Sequence, residues 1–265
     1  SEKDGYKHIY HFDKDGKLIN QVTQGDWEVT TIYNYNPKSK EIYFQSVEGS
    51  SIERGIYAID ISGRGKRKLQ PTHGFNGATF STNNSYYIHS YSDELTPPIY
   101  TLYETRQNRP IRQLMNNKSL IEKLESYNFS EKEFSTIQIN GSELNMWMIK
   151  PADFDANKKY PLLMFQYSGP GSQQVSNRWG DSRTLWHKDL ANQGFIIACV
   201  DGTGTGYKGS KFKKSTYLNL VKYESLDQIA AAKTLGELPY VDHSRIGIWG
   251  WSFGGHMATH CLLTG

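Results

Sequence analysis

Short apolar segments separated by polar turns fill residues 1–115. The dipeptide Ile-Tyr recurs there at Ile9, Ile56 and Ile99, at spacings of 47 and 43 residues. A Thr-x-Gly follows the first two copies, at Thr23 and Thr72. We expect about four short strands per unit of about 45 residues, the repeat of a β-propeller blade. A β-sandwich with regularly spaced strands is the alternative. The expected strands are residues 8–12, 29–35, 42–45, 55–61, 78–80, 86–91 and 99–103.

The pattern changes from about residue 118 onward. Residues 119–126 are expected to form a short helix. Segments 134–139 and 144–150, joined by Asn140-Gly141, predict a β-hairpin. Continuous apolar runs then alternate with helical segments, which predicts a parallel sheet covered on both faces. The apolar runs are residues 162–167, 195–200 and 246–249, and the helical segments are residues 185–193 and 226–235.

Composition narrows the possible functions. Aromatic residues make up 13% of the chain, including 18 Tyr, which strengthens the expectation of β-structure. The 30 basic and 27 acidic residues give a net charge of +3, too even to favour a nucleic acid or an anionic membrane as partner. Cys199 and Cys261 lie among apolar residues and are expected to be buried free thiols. No segment approaches the ~18 apolar residues of a membrane span.

The strongest chemical signal is Gly250-Trp251-Ser252-Phe253-Gly254, a G-x-S-x-G motif. An apolar strand, residues 245–249, precedes it, and a helix-compatible segment, residues 256–263, follows. In a nucleophile elbow the serine occupies a tight strand-to-helix turn, and small flanking residues are needed because a Cβ would clash. We therefore expect Ser252 to be a nucleophile, with the helix N-terminus directed at the developing oxyanion.

Two further glycine-rich segments follow predicted strands. Residues 167–171, Tyr-Ser-Gly-Pro-Gly, follow an early strand, where hydrolases of this type place part of the oxyanion hole. Gly204-x-Gly206-x-x-Gly209 matches the dinucleotide-binding fingerprint. No apolar strand ending in an acidic residue follows about 20 residues later, so nucleotide binding is disfavoured.

The histidines do not supply an obvious general base. A hydrolase of this type carries its triad in the chain order Ser, acid, His. His256 and His260 lie on the predicted helix that leads away from Ser252, and His243 lies at the opposite end of the strand. We expect all three to be structural and the acid and base to lie beyond Gly265. Residues 1–265 alone are therefore expected to be inactive.

Several motifs in order resemble the dipeptidyl peptidase IV branch of the prolyl oligopeptidase family of serine peptidases, as a fragment of a bacterial-type member. The elbow resembles that of the family, with Phe253 where Tyr is usual. Thr203 and Val221 depart from the family, which often has Arg and Gly there. The other matching motifs are Thr23-x-Gly25-x-Trp27-Glu28-Val29, Tyr160-Pro161-Leu162-Leu163, Tyr167-x-Gly169-Pro170, Asp201-Gly202-x-Gly204-x-Gly206-Tyr207 and Asp227-Gln228.

The resemblance implies a mixed fold. Residues 1–115 would be C-terminal blades of an eight-bladed β-propeller, and residues 116–265 the N-terminal part of an α/β-hydrolase domain, ending after the elbow. It implies a serine exopeptidase that releases X-Pro or X-Ala dipeptides through an acyl-enzyme on Ser252. The Tyr167 hydroxyl and the Phe253 N–H would form the oxyanion hole. No cofactor or metal is expected; a homodimer and a periplasmic or cell-surface location follow from the family.

Three alternatives stay open. A prolyl tripeptidyl peptidase would share the mechanism, and the family's amino-terminus clamp, expected upstream of Ser1, would separate the two. An esterase or acylaminoacyl hydrolase would share the hydrolase fold but needs no propeller. A non-enzymatic binding protein is disfavoured because Ser252 lies within an intact elbow.

Overall fold

The computed structural model describes residues 1–70, 73–180 and 182–265, so Thr72 of the second Thr-x-Gly lies outside the described residues. The chain divides into two compact units. Unit 1 consists of Ser1–Ile121 together with two later segments, Ser176–Trp179 and Tyr207–Ser210. Unit 2 consists of Glu122–Val175, Gly180–Gly206 and Lys211–Gly265.

Unit 1 contains a two-stranded ribbon and two four-stranded antiparallel sheets, in each of which the strands neighbour one another in chain order. The ribbon is β1 (Tyr10–Phe12) and β2 (Leu18–Gln21). The first sheet is β3 (Val29–Asn36), β4 (Glu41–Ser46), β5 (Gly55–Asp60) and β6 (Arg67–Lys68). The second sheet is β7 (Phe75–Phe80), β8 (Tyr86–Ser92), β9 (Ile99–Glu104) and β10 (Arg109–Met115).

Each sheet has four strands, the number predicted for one repeat, but the sheets do not begin where the predicted units begin, at the Ile-Tyr strand. Ile56-Tyr57 lies in β5 and Ile99-Tyr100 in β9, so the dipeptide marks the third strand of each sheet. The pattern did not identify β2 of the ribbon, nor the fourth strands of the two sheets, β6 and β10. β6 is the dipeptide Arg67-Lys68, and every residue of β10 is exposed, so neither strand carries an apolar alternation.

The two central strands of the first sheet, β4 and β5, are buried on both faces. Successive residues of a strand point to opposite faces, and Phe44 and Tyr43 of β4 follow this rule. Phe44 stacks on Tyr57 with ring centroids 5.5 Å apart, in a cluster that includes Ile9 and Val22 of the ribbon region. Tyr43 stacks on Phe80 of the second sheet at 4.5 Å. Burying one such aromatic side chain contributes about 1.5–3 kcal/mol, so these layers account for much of the stability of unit 1.

Unit 2 is built on a five-stranded mixed sheet with the strand order β11-β12-β14-β13-β15. Its strands are β11 (Glu133–Ile139), β12 (Ser142–Ile149), β13 (Tyr160–Phe165), β14 (Ile196–Asp201) and β15 (Val241–Trp249). The helices of the chain are α1 (Lys118–Glu125), α2 (Ser182–Asn192), α3 (Ser210–Lys214), α4 (Lys222–Gly236) and α5 (Phe253–Thr264). The part of α1 up to Ile121 and the first residue of α3 belong to unit 1.

The three apolar runs form parallel strands, as predicted, because β13 pairs in parallel with both β14 and β15. The predicted hairpin, β11 and β12, also forms, but it joins the same sheet, with β12 antiparallel to β14. The sheet is therefore mixed rather than purely parallel. Cys199 and Cys261 are buried free thiols, as predicted. Within residues 1–70, 73–180 and 182–265, the helices are too short or too polar to cross a membrane.

Candidate active site

Ser252 lies at the turn between β15 and α5. Its backbone has φ 56° and ψ −119°, a conformation that residues with a side chain rarely adopt. The residue is exposed, and its side chain makes no capping hydrogen bond to the helix. A strained, exposed serine between a strand and a helix is the local geometry of a nucleophile elbow.

The glycines around Ser252 are required by close backbone packing. A Cβ on Gly250 would lie 2.5 Å from the carbonyl oxygen of Gln166 and 2.6 Å from the backbone of Gly254. A Cβ on Gly254 would also lie 2.5 Å from the Gln166 oxygen. Gly255 is less constrained, since its nearest contact would be 3.3 Å away. The first turn of α5 thus packs directly on the end of β13.

Tyr167 follows β13 by two residues and is half-buried. The centroid of its ring lies 6.3 Å from that of Phe253, so the structure brings the predicted site residues Tyr167, Ser252 and Phe253 into one region. A Cβ on Gly169 would lie 2.6 Å from the Tyr167 ring, which therefore needs a glycine at that position. Phe253 is the first residue of α5, where a helix leaves backbone N–H groups without intrahelical acceptors.

The loop after Tyr167 is held by the last residue of β14 and by the loop that follows it. The Asp201 carboxylate accepts hydrogen bonds from the backbone N–H groups of Gln174, at 3.0 Å, and Val175, at 2.8 Å. The N–H of Gly171 donates to the Gly204 carbonyl at 2.8 Å. A Cβ on Gly206 would lie 2.7 Å from the Gly171 oxygen. In the fingerprint-like segment, Gly206 thus serves close packing of two loops.

A buried polar layer at the start of α4 supports both loops. The Asp227 carboxylate accepts from the Thr203 N–H at 2.7 Å and from the Asn140 side chain at 2.9 Å. The Gln228 amide donates to the Val200 carbonyl at 2.9 Å and to the Ser168 hydroxyl at 3.3 Å. Ser168 itself has φ 60° and is buried. Side chains of one helix, α4, therefore hold both the backbone at Thr203 and the side chain of Ser168.

Val221 precedes α4 with φ 76°, where a β-branched residue is strained. It is one of the three positions, with Thr203 and Phe253, at which the sequence was expected to differ from the family pattern. In the same helix, burial raises the pKa of Glu224, and the charge of Asp227 raises it further.

Sequence reasoning missed Gln166. Its side chain is fully buried, and its amide Nε2 donates to the carbonyl of Gly254 at 2.6 Å. Only its position as a polar residue at the end of an apolar strand distinguished it. Of the three histidines, His243 is exposed near the start of β15, and His256 and His260 lie on α5.

Comparisons with known proteins agree with this geometry. A family model described as the dipeptidyl peptidase IV N-terminal region matches residues 1–98, and one described as the prolyl oligopeptidase family matches residues 182–264. A probable dipeptidyl peptidase 4 of Emericella nidulans is 34% identical over the whole chain, and dipeptidyl peptidase 4 of Trichophyton equinum is 35% identical. The chain spans about a third of the length of these curated relatives, 34% and 35%.

Solved structures give the same result. The crystal structure of Porphyromonas gingivalis dipeptidyl peptidase 4 matches the whole chain with a TM-score of 0.95 and 46% identity, over 37% of its own length. A putative dipeptidyl aminopeptidase IV from Bacteroides ovatus matches 99% of the chain with a TM-score of 0.86 and 30% identity, over 40% of its own length. Residues 1–98 and 182–264 thus match the two family models, and the whole chain is similar to proteins named dipeptidyl peptidase 4.

Proposed function

We propose that the protein in which this chain occurs is a serine exopeptidase that releases N-terminal dipeptides of the form X-Pro or X-Ala. Residues 1–115 would supply β-propeller blades and residues 116–265 part of an α/β-hydrolase domain. The observation that carries the proposal is the backbone of Ser252, strained at φ 56° and exposed between a strand and a helix. The relatives named dipeptidyl peptidase 4 support the substrate class.

The reaction would proceed through an acyl-enzyme. The Ser252 hydroxyl attacks the scissile carbonyl, a base takes its proton, and the same group returns the proton to the departing amine. Water then hydrolyses the ester. In this fold the acid and the histidine follow the nucleophile in the chain, and none of His243, His256 and His260 is assigned as the base.

The developing oxyanion would be stabilised by two groups. One is the N–H of Phe253, the first residue of α5, and the other is the hydroxyl of Tyr167. Two features support this assignment: the rings of the two residues are 6.3 Å apart, and each residue neighbours a strained backbone position. The donor at 253 belongs to the backbone, so Phe in place of the family's Tyr leaves it unchanged.

The test uses the whole protein that carries this chain, with Ser252→Ala and a matched control, Ser244→Ala, which alters an exposed serine of β15. Cleavage of Gly-Pro and Ala-Ala-Pro anilides is followed, together with covalent labelling by a fluorophosphonate. We expect Gly-Pro cleavage and labelling, both lowered at least about 10⁴-fold by Ser252→Ala and unchanged by Ser244→Ala.

Other results would point elsewhere. Cleavage of the tripeptide substrate alone would keep the mechanism and identify a tripeptidyl peptidase. Cleavage of neither anilide, with labelling retained, would indicate an ester-directed hydrolase. A folded protein that is neither labelled nor active would refute the proposal. The family also suggests a homodimer, which light scattering of the whole protein would detect.

A further inference from the structure

Gln166 connects the two segments that carry the proposed catalytic groups. Its backbone N–H donates to the Trp249 carbonyl at 3.2 Å, just before the elbow. Its side-chain Nε2 donates to the Gly254 carbonyl at 2.6 Å, just after Ser252. The residue therefore holds the elbow on both sides of the serine.

The backbone at Gln166 is in equally close contact with α5. Its carbonyl oxygen lies 2.5 Å from the positions that a Cβ would occupy on Gly250 and on Gly254. The Cα of Tyr167 lies 3.1 Å from the same position on Gly254. Any displacement of this peptide relative to α5 would therefore move the Tyr167 ring relative to Ser252.

Packing alone does not account for a glutamine at this position. The side chain is fully buried, and its Oε1 has no hydrogen-bond partner within the residues that the structure describes. A buried amide oxygen without a partner destabilises the folded state. A methionine would fill similar space without this cost, so the favourable contribution of the amide lies in the Nε2 donor to Gly254.

We infer that Gln166 is a positioning residue that fixes the Tyr167 hydroxyl relative to Ser252 and the Phe253 N–H. The inference rests on the proposed function, in which those two donors stabilise the oxyanion. Such donors must lie within about 2.7–3.1 Å of the oxygen, and a displacement of about 1 Å costs on the order of 100-fold in rate. Gln166 contacts no reacting atom and acts only through its neighbours.

The test is a double-mutant cycle in the whole protein, with the anilide that the unaltered protein cleaves. Gln166→Met removes the donor and keeps the volume; we expect kcat to fall about 10- to 100-fold, with KM changed by less than about threefold. Tyr167→Phe should lower kcat about 100-fold or more. If Gln166 acts through Tyr167, the double variant should match Tyr167→Phe within about threefold. Effects that multiply, or an unchanged kcat in Gln166→Met, would overturn the inference.

Two further variants separate positioning from general stability. Gln45→Met removes the same kind of donor in unit 1, where the buried Gln45 amide donates to a backbone carbonyl at 2.6 Å and its Oε1 accepts from the Thr30 hydroxyl at 2.5 Å. It should lower the urea midpoint and leave kcat unchanged. In Gln166→Glu, an ionised carboxylate cannot donate to Gly254, whereas a protonated one can, so its rate relative to the unaltered protein should rise as pH falls.

The remaining outcomes are decisive as well. A rate ratio for Gln166→Glu that falls as pH falls would overturn the inference. Failure of both Gln166 variants to fold would also overturn it, since the role would then be structural. Fluorophosphonate labelling of the unaltered protein distinguishes failure of the proposed function from failure of the inference about Gln166. If the unaltered protein is not labelled, both the proposed function and this inference are refuted. If it is labelled and the effects of the two substitutions multiply, only this inference is refuted.

Discussion

The strained backbone at Val221 gives a stability prediction whose sign is unusual. At an ordinary exposed helix position alanine is more stable than glycine by about 1 kcal/mol. Val221 has φ 76°, and a residue with a Cβ pays about 1–2 kcal/mol in the left-handed region. Glycine avoids that cost but loses about 0.4–1 kcal/mol through its greater freedom in the unfolded chain. Taking the middle of both ranges, Val221→Gly should therefore be about 0.8 kcal/mol more stable than Val221→Ala.

Comparing glycine with alanine removes the contribution of the valine methyl groups, since both variants lack them. Lys233, an exposed residue within the same helix, is the matched control: there alanine should exceed glycine by about 1 kcal/mol. Urea unfolding followed by circular dichroism measures both pairs, and slopes of about 1–3 kcal/mol/M make the shifts a few tenths of a molar. If alanine is as stable as glycine at position 221, the backbone there is not strained and the reasoning fails.

Two other predictions concern the elbow and unit 1. Gly254→Ala places a Cβ 2.5 Å from the Gln166 oxygen and should destabilise unit 2 by at least about 2 kcal/mol. Gly255→Ala is the control: its nearest contact is at 3.3 Å, and it should change stability by less than about 1 kcal/mol. Equal urea midpoints for the two variants would contradict this prediction. Burial lowers the pKa of His89 to about 4, and its Nε2 hydrogen-bonds to Asn76 at 2.9 Å. This pKa lies below the unfolded value of 6.5, so the stability that depends on a neutral His89 is fully present above pH 6.5 and is lost as pH falls toward 4. At pH 5 the free energy of unfolding should be lower by about 2 kcal/mol. In His89→Gln the decrease in stability between pH 7.5 and pH 5, measured from urea midpoints, should be smaller by this amount. An equal decrease in the variant and the unaltered protein would count against a neutral buried imidazole.

The sequence predicts strands well where burial imposes a pattern. Strands β4, β5, β13 and β14 were found because most of their side chains are buried. β6 and β10 were missed because they are short or fully exposed, and hydrogen bonding to a neighbouring strand leaves no periodicity in the sequence. The hairpin β11–β12 was recognised from Asn140-Gly141, but nothing local specifies that it pairs with β14.

The site residues that could be predicted are those marked by neighbouring residues in the sequence. Ser252 was identified from flanking glycines, and the structure shows that Gly250 and Gly254 meet the Gln166 carbonyl. Gln166 itself could not be identified, since its role depends on contacts 88 positions along the chain. The strain at Val221 was equally hidden, because a backbone angle depends on the path of the chain and not on the identity of one residue.

The segment Tyr207–Ser210 belongs to unit 1 although the chain on both sides of it belongs to unit 2. Within unit 1 the Gly209 N–H donates to the buried Glu28 carboxylate at 3.0 Å, and the Arg54 guanidinium lies 4.1 Å from the centre of the Tyr207 ring. A chain cut after Ile121 would therefore lose part of the first unit's own interior. Neither unit can be expressed intact as an uninterrupted stretch of sequence. A chimaera with a relative would therefore have to replace both units at once.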